Sequence, residues 1–372
     1  MTVKSQPWLF SPSFDLAFIL GPAILISILV LVFHDHFEAL KSVPPWLWLI
    51  LVVGVDVSHV YSTLFRTYLD RDELRQRPGL YTLVPLGAWI AGCFLYSVDS
   101  TIFWRVLTYL AVFHFVRQQY GLMMIYGRQE RGQPALFKQL DKAAIYLATV
   151  YPLVYWHSHA REFNWFLEGD FVKLDIPFFS DIVGGIYLAV IAAYLFKEAA
   201  LWKRSKSLNL PRNLLLLGTA ISWFVGIVAF NNDVAFSATN ILAHGIPYLA
   251  LIWVYGHNRR ARSTDGQSPF IAAWLGALLS SKTVLLYLGA LFVIAFIEEG
   301  IWDGLVWRDH GAIFKFSDAL PLIQSQHTLV WLVPLLTLPQ ATHYILDAFI
   351  WRLKSNNNHW RETLFFHTAG KL

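Results

Sequence analysis

Four histidines and two aspartates lie deep inside apolar stretches of this 372-residue chain. Asp56 and His59 interrupt WLWLILVVGVDVSHVYSTLFRTYLD, residues 46–70. His114, followed by Arg117 and Gln118, interrupts FWRVLTYLAVFHFVRQQYGLMMIYG, residues 103–127. Asn240 and His244 stand in VAFSATNILAHGIPYLALIWVY, and His343 and Asp347 in TLVWLVPLLTLPQATHYILDAFIW. Each stretch is long enough to cross a bilayer as a helix. A charged group at that depth costs about 2.5–3.5 kcal/mol on insertion scales, so ionisable residues there read first as functional.

The spacing within each stretch is helical. Asp56 and His59 are i,i+3; His114, Arg117 and Gln118 are i,i+3,i+4; Asn240/His244 and His343/Asp347 are i,i+4. Such pairs share a helix face. Measured along the helices at 1.5 Å per residue, the groups fall within a slab about 15 Å thick. Lipid cannot satisfy them, so they are expected to face the bundle interior.

Imidazole with carboxylate suits iron, zinc, manganese or copper. Soluble di-iron bundles build their sites from carboxylates and i,i+3 Glu/His pairs on four helices, and Asp56-x-x-His59 imitates that spacing with Asp for Glu. The expected metal set is His59, His114, His244 and His343, with Asp56 and Asp347 either ligating or orienting the rings. Arg117 and Gln118 are expected to set charge or engage substrate, Arg117 either balancing an aspartate or binding an anionic head. Two plainer readings stand beside this one. Intramembrane histidines can be interhelical hydrogen-bonding glue, and Asp56 with Arg117 can be a buried ion pair.

The elements that must carry these residues follow from composition. The chain is 56% hydrophobic and only 15% charged, well below the charge content of a soluble domain. Apolar runs fall at 12–34, 46–69, 81–99, 102–126, 142–157, 179–201, 212–230, 234–256, 282–299 and 328–351. The expected fold is an all-α, polytopic integral membrane bundle of about ten helices, a single domain over residues 1–372. Loops rich in Lys and Arg, such as 66–80 with Arg66, Arg71, Arg75 and Arg77, alternate with loops at 35–45, 97–103, 158–178, 230–234 and 299–327 that carry fewer cations or balancing acids. That alternation puts both termini in the cytoplasm. The long, aromatic-rich outer loops 158–178 and 299–327 read either as a cap over the bundle or as ordinary interfacial packing.

The formal net charge of +4 belongs to cytoplasmic loops and gives no ground for nucleic-acid binding. A single cysteine, Cys93, rules out an internal disulfide and cysteine-ligated zinc or iron–sulfur sites. The N-terminus lacks the pattern of a cleaved signal peptide, so the first apolar run is expected to be retained. No GxGxxG, P-loop, GxSxG or HExxH occurs, which leaves phosphoryl transfer and serine hydrolysis without support.

The clustered histidine boxes of the alkane hydroxylase and desaturase group are missing. Single histidines spread over several membrane helices resemble the arrangement of the Brp/Blh carotene-cleaving proteins, a likeness of pattern that implies an iron held between helices. The resulting expectation is a histidine-rich, metal-dependent oxidoreductase or oxygenase in the lipid bilayer, probed best as a mono- or dinuclear non-haem iron protein of the bacterial inner membrane acting on a hydrophobic lipid- or isoprenoid-like small molecule. Three alternatives stay open: a proton-coupled transporter using the same His/Asp layer, a b-type haem protein, and a structural membrane protein.

Overall fold

A computed structural model describes residues 6–40, 42–130, 132–174, 176–262, 268–351 and 359–365. The two chain ends, on which the expectation of cytoplasmic termini bears, lie outside the described residues. Among those described, regular structure is helical, and the lone β-bridge joins Asp70 to Phe270.

The long helices are α1 (Pro12–Val32), α2 (Pro45–Arg66), α3 (Pro78–Val98), α4 (Ser100–Tyr126), α5 (Ala135–Ser158), α6 (Phe179–Ser205), α7 (Leu210–Ala229), α8 (Asp233–Ala261), α9 (Ser281–Trp307), and the pair α10 (Gln326–Leu336) and α11 (Leu338–Ile350). Every apolar run read from the sequence is helical. Seven of these helices are long and apolar enough to cross a membrane, or eight if α10 and α11, bent by 43°, form one span. This marks the chain as an integral membrane protein. The helices α4 and α5 are as long as the others but fall outside that set. The first carries Arg105 and Arg117, and the second Lys138, Asp141 and Lys142.

Helix starts follow from local chemistry. Proline opens α1, α2, α3, α7 and α11 at the first or second position, where its missing N–H costs nothing. Ser11, Asp99 and Asn209 accept backbone N–H groups that the first turns of α1, α4 and α7 leave over. The bend between α10 and α11 falls at Thr337, between Pro334 and Pro339, each of which removes a backbone donor. Wide i→i+5 turns occupy Leu49–Val57 in α2 and Phe224–Ala229 in α7. The first of these carries Asp56 and ends just before His59, and such turns recur at functional positions.

The helices gather into two compact units. One comprises Met1–Val43 and Val112–Pro247, the other Pro44–Ala111 and Tyr248–Leu372. The sequence by itself reads as one domain.

In the first unit α5 packs on α6 and α7, and α7 on α1. One end of this bundle is held by buried charges. Arg212 reaches Glu130, Asp141 and Glu198, and Lys197 reaches Asp141 and Glu198. Five charges on four segments satisfy one another there, which is the condition for keeping ions out of water. At the other end the 158–178 loop folds back on the bundle. Phe171 stacks on Trp156 at 4.0 Å, and Phe163 stacks on Phe236 at 4.4 Å.

In the second unit α9 packs along α2, and α3 against α10 and α11. Val53, Val57, Ala295 and Phe314 form a buried core. Residues 299–307, read from the sequence as loop, continue α9, and Phe314 comes from the segment after it, which is pinned by Asp303 near the helix end. That carboxylate accepts from the His310 N–H at 2.7 Å and from the Ser317 hydroxyl at 2.9 Å. His310 in turn stacks on Trp48 at 3.9 Å. Arg66 is completely buried and lies 2.8 Å from Glu73, with the rings of Tyr255 and Trp351 against its guanidinium.

Candidate metal centre

Each unit carries two of the four histidines, and all four are buried. In the second unit His59, on α2, and His343, on α11, stand with ring centroids 5.0 Å apart and planes at 75°. His343 is oriented from behind. Its Nδ1 lies 2.7 Å from Thr63 Oγ1, which lies 2.9 Å from the Tyr248 hydroxyl. Tyr248 donates to Asp347 Oδ1 at 2.6 Å. With Asp347 ionised, a single direction satisfies every link. Tyr248 donates to Asp347, Thr63 donates to Tyr248, and His343 donates from Nδ1 to Thr63. This fixes the tautomer and leaves Nε2 as the nitrogen suited to a metal.

Asp347 is thus linked to the His343 ring through two hydroxyls, although the two residues are one turn apart. Asp56 is closer to its partner. Its Oδ1 is 3.6 Å from His59 Nδ1, beyond hydrogen-bond length, and 34% of its side chain is exposed.

In the first unit the Nε2 atoms of His114, on α4, and His244, on α8, are 3.1 Å apart, with ring planes at 80°. This separation suits a hydrogen bond between neutral rings and also suits shared ligation. Two imidazole nitrogens bound at about 2.1 Å, with an angle of roughly 90–110° between them, are roughly 3.0–3.4 Å apart. The same distance is shorter than two metal–nitrogen bonds laid end to end, about 4 Å, so this pair would sit side by side on an ion and not across a haem. His244 is locked flat against Phe115, with centroids 3.7 Å apart and an interplanar angle of 9°. Trp165, from the 158–178 loop, meets Phe115 edge-on at 5.0 Å, so the loop reaches the aromatic ring that packs on His244.

Gln118 braces the pair, its Nε2 donating to the His244 carbonyl at 3.2 Å. Arg117 is not brought to the histidines. It is exposed, donates to the Tyr146 hydroxyl at 2.6 Å and covers the ring of Tyr120. Helical spacing puts residue 117 three positions after His114, but a long side chain at the edge of a face can turn to either neighbour, and here α5 offers the hydroxyl. Asn240 is occupied locally, donating to the Phe236 carbonyl one turn back at 3.0 Å.

The sequence reading missed Thr63, Tyr248 and Phe115. The same helical spacing that pairs Asp56 with His59 finds two of them. Thr63 is one turn beyond His59, and Tyr248 one turn beyond His244.

Comparison with protein-family models finds no match. Comparisons with curated proteins and with solved structures find none either.

Proposed function

We propose that the chain is a membrane-embedded, metal-dependent oxidoreductase, with non-haem iron as the metal and a hydrophobic lipid- or isoprenoid-like substrate. The observation that supports this reading is the donor set. His59 with His343 in one unit, and His114 with His244 in the other, are buried imidazole pairs whose nitrogens could ligate a metal ion. They come from four helices with no sequence repeat among them, and glue between helices does not require four like residues. The proposal keeps ten spans with both termini cytoplasmic, from the alternation of loop charge.

When bound, iron on imidazole nitrogens supplies one-electron and dioxygen chemistry. The chain's own residues supply orientation and dryness. Thr63, Tyr248 and Asp347 hold the His343 ring in one tautomer. Phe115 fixes the plane of His244, and Trp165 packs on Phe115. Asp56 offers a carboxylate next to His59, which can raise the basicity of that ring. Gln118 fixes the backbone at His244.

The test is metal content, with a visible spectrum, on protein purified in mild detergent without chelator. About one or two irons per chain with no Soret band is the result expected. His114→Ala and His244→Ala are expected to lose the metal while keeping helical content. Full metal occupancy in both variants would sink the assignment, and a Soret band would replace it with haem.

The His343–Thr63–Tyr248–Asp347 relay favours one other reading, a proton-coupled carrier in which the same hydroxyls pass protons. Reconstituted vesicles that take up protons only when a substrate is supplied, from protein that holds no metal, would support that alternative.

A further inference from the structure

The second unit contains a cavity of about 290 Å³ beside His343. It lies where α10 and α11 bend apart. Leu335, Leu338 and Pro339 line it at the bend, with Pro85 of α3, Val60 and Leu64 of α2, and Thr67 just past the end of α2. The bend at Thr337, between Pro334 and Pro339, thus holds open a space that straight, close-packed helices would fill. Its volume is about twice that of a 150 Å³ apolar cavity that takes up benzene, so this partly open cavity has room for on the order of a dozen carbons.

No charged residue lines it. Most of its polar atoms are already engaged. Thr63 is held by His343 and Tyr248, Thr67 donates to the Thr63 carbonyl, and Tyr68 donates to the Tyr81 carbonyl. The exception is Thr342. The residue is 8% exposed, it lines the cavity, and its buried hydroxyl makes no hydrogen bond among the described residues. A buried hydroxyl left without a partner costs about 1–3 kcal/mol. Next to it in sequence, His343 also lines the cavity.

We infer that this cavity is the binding site for the substrate, an uncharged hydrocarbon chain bearing one neutral oxygen, hydroxyl or carbonyl, that bonds Thr342. The inference rests on the proposed function and names its substrate class and location. Apolar walls select the chain, the absence of any cation excludes a carboxylate or phosphate head, and Thr342 sets which end of the molecule lies beside the His343 ring. Its position on the wall next to a candidate metal ligand would place the oxygen-bearing carbons at the reactive end.

The test uses the full chain in lipid nanodiscs and a long-chain primary alcohol carrying a photoreactive diazirine. Crosslinks are mapped by mass spectrometry on metal-loaded and chelator-treated protein. Labelling is expected on α2, α10 and α11 in both preparations, with competition by the unlabelled alcohol and not by the matching carboxylate. Leu338→Trp is expected to abolish it by filling the cavity. Leu335→Phe, at a half-exposed position that tolerates change, is expected to reduce it. Thr342→Val keeps the shape and is expected to weaken the alcohol about fivefold while leaving the matching alkane unchanged, the effect of one hydrogen bond. Labels spread over lipid-facing residues, or labelling indifferent to both filling variants, overturn the inference. The two readings fail separately. Loss of metal binding with cavity labelling intact removes the oxidoreductase assignment alone, and metal retained with labelling unaffected by the filling variants removes the cavity assignment alone.

Discussion

Thr63→Val is the sharpest probe of the relay behind His343. Valine has the shape of threonine without the hydroxyl, so it removes the two hydrogen bonds at 2.7 and 2.9 Å and little else. Tyr248 keeps its bond to Asp347, but His343 loses the acceptor that fixes its Nδ1 proton. Two net hydrogen bonds amount to about 1–3 kcal/mol of stability. For a ligating histidine, loss of the group that orients it typically weakens metal binding by about 10- to 100-fold, which corresponds to roughly 1.4–2.8 kcal/mol. The assay is competitive metal titration of purified wild type, Thr63→Val and Thr63→Ser, with thermal unfolding of the three metal-free proteins alongside. Serine keeps the oxygen and is expected to bind metal within a fewfold of wild type. Unchanged affinity in Thr63→Val, or an equal loss in Thr63→Ser, would refute the argument that the hydroxyl relay orients a ligand. A fall in unfolding temperature with unchanged metal affinity would leave Thr63 a purely structural contact.

Two further predictions concern the scaffold. Burial would push the Glu73 carboxyl up, but Arg66, Arg77 and the Tyr81 hydroxyl outweigh it and hold the group below its ordinary value of 4.5. The folded state therefore binds the proton more weakly than the unfolded one. The stability from this pair is fully present above about pH 4.5 and is lost as the pH falls through the folded value. Glu73→Gln is expected to cost about 3–5 kcal/mol at pH 7 by leaving Arg66 buried without its partner, and to flatten the acid side of a stability–pH curve; an unchanged curve would rule the pair out as its source. At Gly226 a methyl group would lie 2.1 Å from Thr239 Oγ1, a hydroxyl already bonded to the Ala235 carbonyl at 2.8 Å and unable to swing aside freely. Gly226→Ala is expected to destabilise by about 1–3 kcal/mol, whereas Gly289→Ala, with nothing within 4 Å, is expected to be neutral or to gain up to about 1 kcal/mol in helix propensity. Thermal unfolding in detergent compares the two, and equal effects would contradict the close approach of α7 to α8.

Composition and periodicity alone determined most of the secondary structure. A helix buried in lipid must satisfy its backbone internally, so a long apolar run has one regular solution, and all ten runs are helical. The same logic singled out His59, His114, His244 and His343, because an imidazole in the middle of such a run is costly wherever it points. Spacing also placed Asp56 beside His59. How many of the helices cross the membrane was less legible, since α4 and α5 are long enough but carry charges that composition cannot assign to a buried or exposed face.

Only the tertiary structure decided what each polar side chain does. Periodicity gives a residue's face, while its partner depends on which helix packs there and at what height. Asp347 and His343 share a face, yet two hydroxyls link them, one of them from α2, 280 residues away from His343. Arg117 follows His114 by nearly one turn, yet its guanidinium goes to Tyr146. The cavity at Thr342 is set by where two prolines bend one helix against its neighbours. Each of these outcomes rests on contacts between distant segments, and such contacts have no signature in the spacing of residues along a single helix.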